Sequence, residues 1–207
     1  GGIWADELPP CPENQPVEKW DNCTGHYIYA NGNEYVGGFK IGKEHGTGRF
    51  TDNTGNEYVG EYKYGREHGK GTYTYSNGDK YVGEYENYLK HGKGTFTWAD
   101  GRSYVGEWKH NRMHGKGKEI YSDGSQYVGE FEYGWKNGMG KYTWTNGAWY
   151  EGEYKDGSRH GKGGLFFPDG AFYIGEFEND KIQGKGNHKK ADGSYYSGEW
   201  ENGLPHG

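Results

Sequence analysis

Apolar and polar residues alternate along this chain in bursts no longer than one strand. Tyr81-Val82-Gly83-Glu84-Tyr85 puts Tyr81, Gly83 and Tyr85 on one face of an extended segment, with Val82 and Glu84 on the other. Gly92-Lys93-Gly94-Thr95-Phe96-Thr97-Trp98 repeats the alternation, so Phe96 and Trp98 join the tyrosine side while Thr95 and Thr97 lie opposite. Between such segments stand Asn77-Gly78, Asp123-Gly124 and their equivalents, dipeptides that favour positive φ and a tight turn. A longer connection, such as Lys63-Tyr64-Gly65-Arg66, joins the two segments of each pair. Each pair predicts a β-hairpin.

The hairpins recur in strict register. Tyr-x-Gly begins at Tyr35, Tyr58, Tyr81, Tyr104, Tyr127, Tyr150, Tyr173 and Tyr196, every step being 23 residues. Paired glycines follow the same step, from Gly46 and Gly48 to Gly184 and Gly186, as does a turn glycine from Gly32 to Gly193. Asn or Asp precedes seven of the eight turn glycines, Thr54 being the exception. The predicted fold is all-β: an elongated single-layer antiparallel β-hairpin solenoid of eight 23-residue repeats over residues 24–207, with sixteen strands and each repeat touching only its neighbours. Residues 1–23 read as a separate Pro-rich N-terminal cap.

Composition sharpens this picture. Of 207 residues 41 are glycine and 18% are aromatic, while only 30% are hydrophobic. That is too little aliphatic material for a thick two-layer core, and too many aromatics for a disordered chain. A single aromatic layer resolves the conflict, because aromatic side chains bury about 150–250 Å² each. Glycine lacks the three-residue period of collagen, and no apolar run is long enough for a membrane-spanning helix. A net charge of -6 argues against nucleic acid and against an anionic membrane as partners.

Three columns of polar residues invite chemistry. Histidines recur at His45, His68, His91, His114, His160 and His206, but equivalent positions two strands apart are separated by about 10 Å. One zinc ion needs all its ligands within about 2.1 Å, so turn packing is the expected role and no metal or cofactor is expected. Glu61, Glu84, Glu107, Glu130, Glu153, Glu176 and Glu199 form a second column, and Lys70, Lys93, Lys116, Lys162 and Lys185 a third. Seven equivalent carboxylates on a solvated face suggest cross-strand Glu–Lys ladders rather than a catalytic pair. No nucleophile triad, HExxH, P-loop or dinucleotide fingerprint is present, so no enzyme is expected.

The unit Tyr150-Glu-Gly-Glu-Tyr-Lys-Asp-Gly-Ser-Arg-His-Gly-Lys-Gly163 is similar to the MORN (membrane occupation and recognition nexus) repeat, whose signature is Tyr-x-Gly-x-Trp-x-x-Gly-x-x-His-Gly-x-Gly. The resemblance extends over residues 24–207. It implies a twisted, strongly bent sheet of hairpins with aromatic columns lining a groove. It also implies a non-enzymatic module that binds proteins or peptides, self-associates, or in some members contacts phospholipid. This chain departs from the pattern at Gly38, which replaces Glu, at Asn137 and Gln183, which replace His, and at His188-Lys189-Lys190, which interrupt an aromatic strand.

The expected function is a scaffold or adaptor whose aromatic groove takes a protein or peptide. The groove residues singled out are Trp98, Trp108, Trp135, Trp144 and Trp149, with Tyr58, Tyr81, Tyr104 and Tyr127; the tyrosines have an equal claim to being thin core. A cell-surface carbohydrate- or wall-binding module is the alternative. Cys11 and Cys23 are positioned to close a short loop over the first strand edge, which suits a secreted, periplasmic or cell-surface location. Two free thiols in a cytoplasmic protein is the competing reading. The repeat is cut short at Gly207, so self-association through terminal strand edges is a further expectation.

Overall fold

The structure is a computed structural model that describes residues 8–206. Among them are seventeen β-strands of one open antiparallel sheet and a short 3-10 turn at Val17–Lys19. The chain divides into two compact units, one holding residues up to 99 together with 108–111, the other residues 100–107 together with those from 112 onward. In the first unit β1 (Cys23–Ile28), β2 (Glu34–Lys40), β3 (Lys43–Thr51), β4 (Glu57–Lys63), β5 (Arg66–Thr74), β6 (Lys80–Glu86) and β7 (Leu89–Thr97) each pair antiparallel with the next. In the second, β9 (Arg112–Ile120), β10 (Gln126–Glu132), β11 (Trp135–Thr143), β12 (Trp149–Lys155), β13 (Ser158–Phe166), β14 (Phe172–Glu178), β15 (Lys181–Lys189), β16 (Tyr195–Glu201) and β17 (Leu204–His206) do the same. Residues 103–107 of β8 (Ser103–Lys109) belong to the second unit and Trp108 and Lys109 to the first. The strand beyond the sixteen expected is β17, where Asn202-Gly203 turns the chain back onto β16.

Glycine opposes glycine across the middle of the strands. Gly60 pairs with Gly71 inside one hairpin, Gly71 with Gly83 across to the next, and Gly83 with Gly94. The tyrosine of each Tyr-x-Gly lies down on this lane. A Cβ on Gly71 would overlap the Tyr58 ring, and one on Gly60 would stand 2.6 Å from Gly71 Cα. The prone ring brings its hydroxyl to the backbone, where Tyr58 donates to the Glu61 carbonyl at 3.1 Å and Tyr127 to the Glu130 carbonyl at 3.0 Å.

The ring four residues further on stands across the gap, giving an edge-to-face column. Tyr58 meets Tyr62 at 5.2 Å and Tyr85 at 5.1 Å; in the second unit Tyr127 meets Phe131 and Tyr154, both at 5.1 Å. Each such contact contributes about 1 kcal/mol beyond burial. This column is the core of each unit. The Tyr-x-Gly tyrosines from Tyr35 to Tyr150 are 0% exposed.

Toward the turn of each hairpin the second strand carries two extra residues. Gly60 pairs with Gly71 but Tyr62 pairs with Glu67, which leaves Gly69 and Lys70 in a bulge with Gly69 at φ +61. A bulge leaves ladder groups without strand partners. Glu61 meets the need, accepting the Lys70 N–H at 3.0 Å, and Glu153 does the same for Lys162 at 3.0 Å. The glutamate column therefore braces the bulges. Among the described residues only Lys185 Nζ and Glu199 Oε1, 3.9 Å apart, close a Glu–Lys contact of the expected ladder. A carboxylate within reach of an amide of its own hairpin satisfies that donor without ordering a lysine chain, so the local bond prevails.

Beside β1, Cys11 and Cys23 form a disulfide. The Cys11 N–H donates to Thr24 O and the Thr24 N–H to Pro9 O, both at 2.8 Å, so residues 9–11 run alongside the strand. Residues 1–7 of the expected cap, and Gly207, lie outside the described residues.

Candidate functional site

The strand register assigns every predicted site residue to a face. Tyr58 and Tyr81 in the first unit, and Tyr104 and Tyr127 in the second, lie within sealed columns with no exposed surface, and Trp108, 6% exposed, joins the column of the first. Its indole N–H donates to the Gly94 carbonyl at 3.1 Å while its ring abuts Tyr81 at 5.2 Å. These residues shape the sheet from within. Trp98 and Trp144 sit at the outer margin of the same tyrosine face, half-buried, against Phe96 at 4.6 Å and Tyr142 at 4.8 Å.

Trp149 and Trp135 are on the opposite face. Trp149 pairs with Thr143 and Phe166, one residue out of phase with Tyr150, and stacks on Phe166 at 4.0 Å with the Lys141 ammonium 4.0 Å from its ring centre. Trp135 pairs with Glu132 and is 63% exposed. The five tryptophans thus do not share one groove. Alternation counted from the tyrosines places both correctly, because the bulge in β11 holds two extra residues, an even number, and leaves the parity unchanged.

The same alternation puts a row of charges on the tyrosine face. Glu67, Lys90, Lys136 and Arg159 occupy the position opposite the second ring of their hairpins. Lys90 Nζ lies 4.6 Å from the Phe96 ring centre, 5.3 Å from those of Tyr75 and Tyr81 and 5.6 Å from that of Trp108, and donates to Tyr75 Oη at 2.9 Å. Lys136 lies 5.0–5.1 Å from Tyr121, Tyr127 and Tyr142. Burial lowers the affinity of both amines for their protons. Arg159 faces Tyr150 and Phe177 and pairs with Asp180 at 3.1 Å. Glu67 lies among Tyr58, Tyr62, Tyr75 and Tyr85, and burial lifts its carboxyl to about 7 against the partial opposition of Lys90. The signal in sequence was the variation of this position, glutamate, lysine and arginine within a conserved frame.

Open space lies on the valine face. In the first unit a trough of about 630 Å³ crosses from β3 to β7, floored by the glycine lane and walled by Val59, Val82, Glu61, Glu84, Lys70 and Lys93. Val82 is 46% exposed there. A second trough of the same volume crosses the second unit from Met139 to Glu199, with Glu151 where the first has valine. Both arise because the tyrosine rings cover glycine from one side only. Among the described residues no group of three or more His, Cys, Asp or Glu is placed to hold a metal. The histidines pack at hairpin turns: His45 rests 4.8 Å from the Tyr64 ring and accepts its N–H at 3.4 Å.

Among curated proteins none matches this sequence. Among solved structures the chain is similar to the TCP domain of Drosophila melanogaster SAS-4 (dCPAP) in complex with a proline-rich motif of Ana2 (dSTIL), at 12% identity and TM-score 0.47, over 94% of this chain and 97% of that one. It is similar also to the TCP10c domain of Drosophila melanogaster Sas-4, at 10% identity and TM-score 0.42 over 86% and 99%, and to the TCP10 domain of Danio rerio CPAP, at 12% and 0.26 over 84% and 93%. At these scores the likenesses bear no functional weight. The sequence model of one repeat family matches at residues 35–57, 58–80, 81–101, 104–126, 127–149, 150–172, 173–195 and 196–207. Eight matches in unbroken register, on hairpins whose tyrosines, glycines and glutamates each have a defined structural task, show that this chain belongs to the MORN repeat family.

Proposed function

We propose that this chain is a non-enzymatic scaffold that holds a protein or peptide partner across several consecutive repeats. The observation that carries this reading is the trough on the valine face, which presents the same aliphatic and charged groups once per hairpin. A partner with a matching repeat gains from each contact in turn. Outer rings extend the surface: Trp135 and Trp149 on the trough side, Trp98 and Trp144 on the tyrosine side. The column glutamates have a structural task at the bulges, which supports a role other than catalysis.

Selection of displayed peptides on the folded chain tests the proposal, with Val82→Asp as the control. Peptides that bind the parent and lose the variant are the expected result; peptides indifferent to Val82 would overturn it. A carbohydrate ligand is the competing reading, favoured by the ring row Trp149, Phe166 and Phe172 and, in the second trough, by the amide of Asn187 and the hydroxyl of Ser197. Binding on a glycan array, lost on Trp149→Ala, would establish that reading instead.

We propose further that residues 1–23 cap the edge of β1 and that the chain works in an oxidising compartment. The Cys11–Cys23 disulfide and the backbone bonds of residues 9–11 support both. Self-association through the outer edge of β17 belongs to the same proposal. Sedimentation of the intact chain, and of a form shortened before Leu204, measures it.

A further inference from the structure

The dimensions of the first trough define the shape of its occupant. It spans four strand spacings, about 19 Å at 4.8 Å each, so a volume of about 630 Å³ corresponds to a cross-section of roughly 33 Å². An α-helix about 10 Å across has a section near 80 Å² and would stand mostly outside it. An extended chain fits.

The repeat distance then selects among extended forms. Val59 and Val82, and likewise Lys70 and Lys93, are equivalent residues two strands apart, which places them about 9.6 Å from their counterparts. A β-strand laid across the trough presents same-side residues about every 6.6 Å, out of step with that spacing. It would also bring a row of backbone groups to a sheet face whose own groups are spent on the ladder. A polyproline II helix makes one turn in three residues, about 9.3 Å, and needs no ladder bonds. Over three repeats it slips by only about 1 Å.

Charge sets the chemistry of the outward positions. The Glu61 carboxylate turns to the Lys70 amide at 3.0 Å, and Glu84 leans over Gly92 in the same way. Neither Lys70 nor Lys93 has a carboxylate within 4.0 Å of its ammonium, and both are exposed. Glu61 and Glu84 keep their charge but lie against the bulge backbone, so the ammoniums of Lys70 and Lys93 are the wall charges placed to take a partner's carboxylate.

Resting on the scaffold reading above, we infer that the first-unit trough binds a segment in the polyproline II conformation, with proline or aliphatic residues against Val59 and Val82 and an acidic residue every third position against Lys70 and Lys93.

The test titrates the full chain with three peptides of equal length and charge. One is a repeating Pro-Pro-Glu dodecamer, one the same residues reordered to break the three-residue period, and one an alanine-rich acidic helix. Preferential binding of the periodic peptide is expected. Lys70→Glu and Lys93→Glu, both at exposed positions, should each weaken it by roughly two- to fivefold and together favour a Pro-Pro-Lys dodecamer. Equal binding of the reordered peptide, or tighter binding of the helical one, would overturn the inference while leaving the scaffold reading intact. Binding of glycans with no peptide of any form would remove both.

Discussion

Glu67 is the carboxyl in the first unit with the most to lose by ionising. It lies on the tyrosine face among Tyr58, Tyr62, Tyr75 and Tyr85, and burial raises it from an ordinary 4.5 to about 7. The hydroxyls of Tyr62 and Tyr85 are themselves buried without a partner, and the compensating charge, Lys90, is buried among rings. Because the folded state holds this proton more tightly than the unfolded state, stability is fully present below about 4.5 and falls as pH rises to about 7. At 1.36 kcal/mol for each tenfold change in proton affinity, the whole span is worth about 3 kcal/mol. Glu67→Gln keeps the shape and removes the titration.

The difference in melting temperature between parent and variant should therefore widen in the variant's favour between pH 4.5 and pH 7.5. For a chain of this size about 3 kcal/mol corresponds to about 6–12 °C. Other titrating groups, such as His45, are common to both proteins and cancel. Calorimetric melts at half-unit pH steps supply the measurement. A difference that stays constant across this window would refute the reasoning, as would a carboxyl resonance of Glu67 titrating near 4.5.

Other substitutions probe the remaining devices. Gly71→Ala drives a methyl into the Tyr58 ring and should cost about 3 kcal/mol, whereas Gly101→Ala, at φ +90 with open space around it, should cost only about 1 kcal/mol; urea unfolding of both separates overlap from backbone strain. Tyr58→Phe removes a buried hydroxyl bonded to the Glu61 carbonyl, and a loss of about 1 kcal/mol is expected in the same assay. Cys11→Ser should lower stability by about 2–3 kcal/mol, and reductant should lower the parent's melting point while leaving the variant's unchanged. A parent indifferent to reductant would remove the disulfide from the account of the cap.

The 23-residue register, the hairpins, the turn glycines and the division into a tyrosine face and a valine face were all legible in the order of residues. These features are local, since a turn dipeptide acts on its neighbours and alternation holds while a ladder stays regular. Tertiary structure decided what the bulges do. Two extra residues in the second strand of each hairpin, an even number, keep the side-chain parity, so Trp135 falls on the valine face and Lys90 and Lys136 on the tyrosine face as alternation requires; only the packed sheet shows those two lysines set among rings. It also decided between two partners for Glu61, Glu107, Glu130, Glu153 and Glu176, where the amide of the bulge prevails over the lysine across the strand. Finally, it showed that the tyrosines seal one side of the glycine lane and leave the other bare. Glycine counts disclose where side chains are missing; which face is then filled depends on how the rings lie down, and that is a property of the packed sheet.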